Sequence, residues 1–302
     1  MPNEPTTALT YYAQHGFMTE PGAGAYLLMN LPQAIPLICE VAQGLIIHYR
    51  TGALYKVKLP LKRLEEARTR QVGRILARIC ELDDQPLIIP RPPRRRFIGC
   101  CRDFATLFCA ILRSHDVPAR VRCGFSTYFD PGFCFDHWIA EYWHADEQRW
   151  IGVDAEMDAV KRAHNQLTFN PCDVPSEQFL IAGQVWQACR SGALDPAGFG
   201  YEPAMSGMWV IRNYVLYDLA CLNKMELTPW DFWGLSSTPY PELTEADLTL
   251  LDQVAALTVG SNETFDATRS LYQNEARLQV PALVTSYTMD DKKTMVLIGN
   301  TA

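Results

Sequence analysis

The spacing of apolar positions changes along the chain, and the changes divide it into regions. Residues 36–47 and 61–82 carry apolar side chains at helical spacing. In the second stretch Leu61 and Leu64 open the apolar face, and Val72, Ile75, Leu76, Ile79 and Leu82 continue it. This predicts a helical N-terminal region over residues 1–85. Residues 84–96 contain Pro86, Pro90, Pro92 and Pro93, whose fixed φ angles and missing N–H donors predict an extended linker. Next, Phe104, Leu107, Phe108, Ile111 and Leu112 mark one face of a helix that starts near Cys101 and ends at Asp116-Val117-Pro118. The period then falls to two. Residues 120–125 and 137–143 alternate like strands, Asp146-Glu147-Gln148 reads as a hairpin turn, and residues 149–154 read as a third strand.

Further along, residues 176–190 read as a helix with Phe179, Leu180, Val185 and Trp186 on its apolar side. Residues 209–222 and 243–257 read as helices too, the last started by Thr244-Glu245-Ala246-Asp247. The polar tail after Asp290 is expected to fray. A helix followed by three strands is an α+β order, with helices packed on one side of an antiparallel sheet. The expected division is an N-terminal helical region (1–85), a core (86–160), and a mainly helical region (161–302) packed on that core.

The 302 residues can bury one large core or two modest ones. A net charge of -7 argues against a dedicated nucleic-acid binder, because neutralising phosphates needs a basic surface. Met1-Pro2-Asn3-Glu4-Pro5-Thr6 has neither a basic n-region nor an apolar h-region, which argues against a secretory signal. No window approaches the ~18 apolar residues of a membrane span. A cytoplasmic protein with no membrane or nucleic-acid partner is therefore expected; its oligomeric state is left open. The ten cysteines are scattered, most among apolar neighbours as in Leu107-Phe108-Cys109-Ala110-Ile111. Such thiols behave as small hydrophobes rather than as a disulfide scaffold. Nine read as structural and one as chemical.

Cys101 stands at the first turn of its predicted helix, where unpaired backbone N–H groups and the helix dipole favour a thiolate and can donate to an oxyanion. Cys100 lies one residue earlier and points elsewhere. His137 sits in a strand and Asp154 ends the next one. A sulfur, a base for its proton and a carboxylate to orient that base are the parts of a thiol nucleophile. His144 is a weaker rival base, seven residues on and so on the opposite strand face. Glu156 and Asp158 are alternatives to Asp154. His15, His48, His115 and His164 read as structural or exposed histidines. Cys134-x-x-His137, with Cys123 and His144, offers zinc-type ligands, but no second pair has standard spacing. No metal and no cofactor is expected, and both a phosphate-binding glycine loop and a dinucleotide fingerprint are absent.

The segment from Gly99 to Glu156 resembles the transglutaminase-like superfamily of papain-like enzymes. Gly99-Cys100-Cys101-Arg102-Asp103-Phe104-Ala105 matches its G-x-C and following helix. Asp116-Val117-Pro118-Ala119-Arg120 matches its G-[IV]-P-A-R, with Asp116 replacing the usual glycine. His137-Trp138-Ile139-Ala140-Glu141-Tyr142 fits its histidine, glutamate and tyrosine, with the tryptophan shifted by one. Trp150-Ile151-Gly152-Val153-Asp154 fits its W-x-x-[LVI]-D. The resemblance selects Cys101 over Cys100 and implies a papain-like core with a Cys101, His137, Asp154 catalytic set. It also implies attack of a thiolate on an amide or ester carbonyl and a thioester intermediate, in reactions that range from peptide hydrolysis and deamidation to glutamine transamidation and glycan removal from asparagine. By analogy a second oxyanion donor comes from an upstream side chain, and no residue before Gly99 identifies itself as that donor. The chain shows no calcium loops, which points away from a calcium-gated animal-type enzyme.

The leading expectation is a cysteine hydrolase acting on a peptide or small amide. An amine-accepting acyltransferase is the first alternative, and a non-catalytic binding protein that keeps the fold is the second. Arg91, Arg94, Arg95 and Arg96 read as a solvated linker, with attraction of an acidic substrate as the sharper reading. The aromatic segments 208–213 and 223–234 read mainly as packing. Trp138, Asn223, Trp230 and Asp231 are the candidate substrate-binding residues. The long flanking regions are expected to wall the site into a narrow pocket for a small substrate or an extended chain end.

Overall fold

The computed structural model describes residues 7–299. The segment Met1-Pro2-Asn3-Glu4-Pro5-Thr6, read above for a secretory signal, and the last three residues of the polar tail lie outside the described residues. The fold mixes helix and sheet, as the α+β reading expects. The chain forms two compact units: one holds the described residues up to Val121 together with Trp138–Pro175, the other Arg122–His137 and the described residues from Ser176 onward. The chain thus passes between them inside two strands. Among the described residues no helix is long and apolar enough to cross a membrane.

The first unit contains helices α1 (Thr7–Ala13), α2 (Ala25–Met29), α3 (Ile35–Leu45), α4 (Val72–Leu82), α5 (Cys101–Arg113) and α6 (Ala159–His164). Its strands are β1 (Ile46–His48), β2 (Phe97–Gly99), the start of β3 (Ala119–Asp130), the end of β4 (Phe133–His144) and β5 (Arg149–Val153). Every residue of α5 is buried, so its polar side chains need internal partners. Arg113 donates to the Ala119 carbonyl at 2.8 and 3.0 Å and to Thr19 Oγ1 at 2.7 Å. Arg102 donates to the carbonyls of Thr69 and Arg70 and to Asp103 at 2.8 Å. β4 and β5 pair antiparallel from Ala140↔Val153 to His144↔Arg149, as the hairpin reading predicts.

Three expectations for this unit change. The helix read over 36–47 stops at Leu45; Ile46, Ile47 and His48 become β1, paired parallel with β2. Two β-branched residues and an available strand partner outweigh the helical period there. The helix read over 61–82 is broken into a 3-10 segment, Leu61–Arg68, and α4. The break falls where the Thr69 and Arg70 carbonyls serve buried Arg102 instead of a helix ladder. The arginine-rich linker is not merely solvated. Arg91 is 2% exposed, and its guanidinium gathers the Asp83, Gln85, Pro86 and Ile89 carbonyls. Arg63 similarly binds the Arg94 and Arg96 carbonyls at 2.8 and 2.7 Å, while Glu66 accepts the Ile98 N–H at 3.0 Å along the open edge of β2.

The second unit contains the Arg122–His137 part of the β3–β4 hairpin, β6 (Phe179–Ile181), β7 (Phe199–Glu202), β8 (Met205–Ser206), β9 (Asp231–Phe232), β10 (Leu283–Tyr287) and β11 (Lys293–Leu297). Its helices are α7 (Ala182–Arg190), α8 (Met208–Leu222), α9 (Gly234–Ser237), α10 (Glu245–Val259) and α11 (Phe265–Asn274). β6 pairs antiparallel with β3, and β7 parallel with β4. Thr244 caps α10 in a reciprocal bond with Asp247, as its sequence predicts. Two readings are corrected. Phe179 and Leu180 belong to β6 rather than to α7, because Gly124 lets the Leu180 carbonyl approach the β3 backbone, where an added Cβ would sit 2.2 Å from that oxygen. Residues of the polar tail form β11 against β10 instead of fraying. At the centre Arg122 pairs with Asp218 at 2.9 Å and donates to the Thr258 carbonyl at 2.8 Å, while the Cys123 N–H donates to Asp218 at 2.9 Å.

Two substitutions test this architecture. Asp218→Ala strands the buried Arg122 charge and is expected to cost about 3–5 kcal/mol in urea unfolding. At Gly99 an added Cβ would sit 2.7 Å from Asp103 Oδ2 and 3.1 Å from Ile46 Cγ2. Gly99→Ala is therefore expected to cost about 1–3 kcal/mol by the same measurement.

Candidate active site

β2 leads directly into α5. The turn between them is fixed by Asp103, whose carboxylate accepts the Cys100 N–H at 2.8 Å and Arg102 Nη1 at 2.8 Å. Cys100 is the N-cap of α5, in extended conformation, and Cys101 is its first residue. Cys101 thus stands at the positive end of the helix dipole of α5. The two adjacent thiols differ. Burial, helped by a hydrogen bond to Cys101, pushes the Cys100 thiol well above the ordinary cysteine range. Both causes favour the protonated form of Cys100.

The parallel β1–β2 pairing places His48 opposite Gly99, and the Tyr49 N–H donates to the Gly99 carbonyl at 2.8 Å. One ring nitrogen of His48, Cys101 Sγ and one carboxylate oxygen of Glu156 lie within 4.8 Å of one another. Glu156 was an alternative to Asp154 in the sequence; His48 was read there as structural or exposed and is a residue that reading missed. No motif marks it. Only its pairing with Gly99 could have revealed it, and a three-residue strand leaves no periodic signal. His48 Nδ1 accepts the Arg50 N–H at 3.1 Å, and its ring stacks on Tyr49. Glu156 is 5% exposed. Its Oε1 binds Lys161 Nζ at 2.6 Å, and its buried Oε2 has no hydrogen-bond partner.

Asp154 is 1% exposed. Its Oδ1 accepts the Glu156 N–H at 3.0 Å, and its own N–H donates to the Pro171 carbonyl at 2.8 Å. These bonds make a tight turn that holds both carboxylates after β5. Asp158 is committed elsewhere, capping α6 through the Lys161 N–H and accepting Tyr55 Oη–H at 2.7 Å.

His137 belongs to the second unit and is 2% exposed. Its ring meets Tyr128, Phe129 and Phe179 edge-on, with centroids 6.0, 5.1 and 6.5 Å away. The neighbouring Asp136 accepts Tyr214 Oη–H. Trp138, 1% exposed, follows in the strand and so points to the face opposite His137. His144 faces the β4–β5 turn, where its Nδ1 accepts the Glu147 N–H at 3.2 Å.

The remaining candidates have internal partners within the second unit. Asn223 donates to the Leu219 carbonyl at 2.8 Å and accepts from Arg269 at 3.0 Å. Asp231, fully buried, accepts the Thr228 N–H at 2.9 Å and its hydroxyl at 2.8 Å. Trp230 is half-buried, and its carbonyl accepts the Tyr287 N–H at 3.1 Å.

Two arrangements could hold a metal. Cys134 and His137 are three apart on β4, so alternation puts them on opposite faces and they cannot chelate together; Cys123 lies instead against Cys221, sulfurs 3.6 Å apart. His48, Cys101 and Glu156 are a zinc-type donor set. A metal on His48 Nε2, however, would move the ring proton to Nδ1, directly against the Arg50 N–H. The imidazole is thus set as a donor, and the three residues fit a metal poorly.

No curated protein and no solved structure matches the chain. Residues 93–155, which include Cys101, His137 and Asp154, match the family model of the transglutaminase-like superfamily.

Proposed function

We propose that the protein is a cysteine hydrolase or acyltransferase that acts on a peptide or small amide through Cys101. The observation that carries this reading is the place of Cys101 at the start of buried α5, with a His48 ring nitrogen and a Glu156 carboxylate oxygen within 4.8 Å of its sulfur. The superfamily match supports the same class, since such domains suggest Cys-based hydrolysis or acyl transfer.

In this mechanism His137 takes the Cys101 proton and Asp154 orients the imidazole. The thiolate attacks the amide carbonyl, forming a C–S bond and an oxyanion, which the first N–H groups of α5 receive. Collapse breaks the C–N bond, and His137 returns its proton to the departing amine. The thioester is then released by water, or by a second amine in the transferase reading. Burial of Cys101 and Glu156 limits water around the sulfur, which gives an amine the opportunity to compete.

Limiting iodoacetamide followed by peptide mass spectrometry is expected to label Cys101 and leave Cys100 untouched. Cys172 provides an internal control. A hydrogen bond from Cys39, together with Arg162, lowers its thiol below the ordinary cysteine value, so it is expected to label as well. His137→Ala should slow Cys101 labelling at neutral pH by about 10²-fold while sparing Cys172, and Asp154→Asn should slow it less. Preferential labelling of Cys100, or equal slowing at both control and candidate, would overturn the assignment. Cys101→Ser should abolish acyl-enzyme formation with p-nitrophenyl acetate, whereas Cys100→Ala should retain much of it. Release of an amide product on adding a primary amine would distinguish transfer from hydrolysis.

A further inference from the structure

The buried Glu156 Oε2 lacks a hydrogen-bond partner, an unfavourable state for a carboxylate oxygen. It belongs to a carboxylate already paired to Lys161, so the unpaired atom is not needed to neutralise that cation. It also belongs to the group that lies within 4.8 Å of Cys101 Sγ and a His48 nitrogen. On the other side, His48 Nδ1 is occupied by the Arg50 N–H. The neutral ring then carries its proton on Nε2, a donor without a lone pair to offer. Cys101 Sγ thus has beside it a histidine ring that can donate and a carboxylate that can accept, both in the first unit.

A primary carboxamide presents the matching pair on one edge: a carbonyl oxygen that accepts and the N–H syn to it that donates, whereas the N–H of a trans peptide bond points the opposite way. Two ordinary hydrogen bonds of ~2.9 Å can bridge a donor and acceptor at this separation. An ester offers the oxygen but no N–H. We infer that His48 and Glu156 together read a primary carboxamide on the substrate, His48 Nε2–H holding the carbonyl oxygen and Glu156 Oε2 accepting the N–H syn to it, so that the site selects primary amides over the corresponding esters. This rests on Cys101 being the nucleophile and adds the two residues that choose its substrate. Discrimination arises because an ester leaves Glu156 Oε2 unpaired in a desolvated site, the situation in which polar sites reject analogues most strongly.

The test needs no natural substrate. Iodoacetamide and methyl iodoacetate alkylate a thiol by the same displacement of iodide, and they differ in carrying an amide or an ester beside the reacting carbon. The rate of each at Cys101 is measured by peptide mass spectrometry and divided by its rate with free cysteine. The wild-type protein is expected to favour iodoacetamide by at least about ten-fold on this corrected scale. Glu156→Gln, which keeps an oxygen for Lys161, and His48→Ala are each expected to bring the ratio close to that of free cysteine. His48→Gln, which restores an N–H donor, should recover part of it. Melting temperatures confirm that each variant is folded, and the two positions are independent, so loss of one variant leaves the other decisive. A wild-type ratio equal to that of free cysteine, or a ratio unmoved in both Glu156→Gln and His48→Ala, overturns the inference. If neither reagent prefers Cys101 over the other buried thiols, the proposed nucleophile itself fails, which is a separate result.

Discussion

The chemistry of this chain depends on a buried carboxylate. Asp103 takes the Cys100 N–H with one oxygen and the Arg102 guanidinium with the other, and so fixes how β2 turns into α5. Burial, with a smaller contribution from neighbouring Cys101, holds its carboxyl above the usual carboxylate range, and Arg102 and the Cys100 N–H oppose that push only in part. Arg102 in turn is held by the Thr69 and Arg70 carbonyls. The cost of burying this pair is met by a closed set of partners, which is when such pairs become rigid. Gly99 has to be glycine because its Cβ space is occupied by Asp103. The glycine and the aspartate of the motif around Cys101 are therefore two halves of one packing requirement.

The same junction explains why two neighbouring cysteines differ chemically. As N-cap, Cys100 is fully enclosed, and its thiol is kept protonated. Cys101 stands one residue later, as the first residue of the helix. A single step along the chain separates the surroundings of the two thiols, and the step is defined by where the helix begins.

Much of this was legible in the sequence. The start of α5, the β4–β5 hairpin and the Thr244 cap follow from local rules: apolar spacing, alternation and capping chemistry. Most of the failures share a cause. Ile46–His48 and Phe179–Ile181 are strands only because a remote segment pairs with them, and local pattern does not reveal a remote partner; Lys293–Leu297 instead pairs with the nearby β10, where its polar composition hid the strand. The break before α4 likewise serves a guanidinium more than thirty residues away. His48 escaped notice for the same reason. Its relevance comes from standing opposite Gly99, and a histidine that ends a helical-looking stretch carries no sign of that.

Arg122 has a consequence for how the protein is made. Its partner Asp218 lies 96 residues downstream, and the Thr258 carbonyl lies 136 residues downstream. During synthesis the first unit has all its residues once Pro175 has emerged, whereas the Arg122–His137 hairpin segment must wait for α8 and α10. A guanidinium destined for complete burial, beside the apolar Cys123 and Phe125, stays exposed through that interval. Closing so long a loop is slow relative to local helix formation. The hairpin that carries His137 is therefore among the last parts of the chain to gain its native surroundings, after the helix that carries Cys101 has had the residues of its own unit available to fold against.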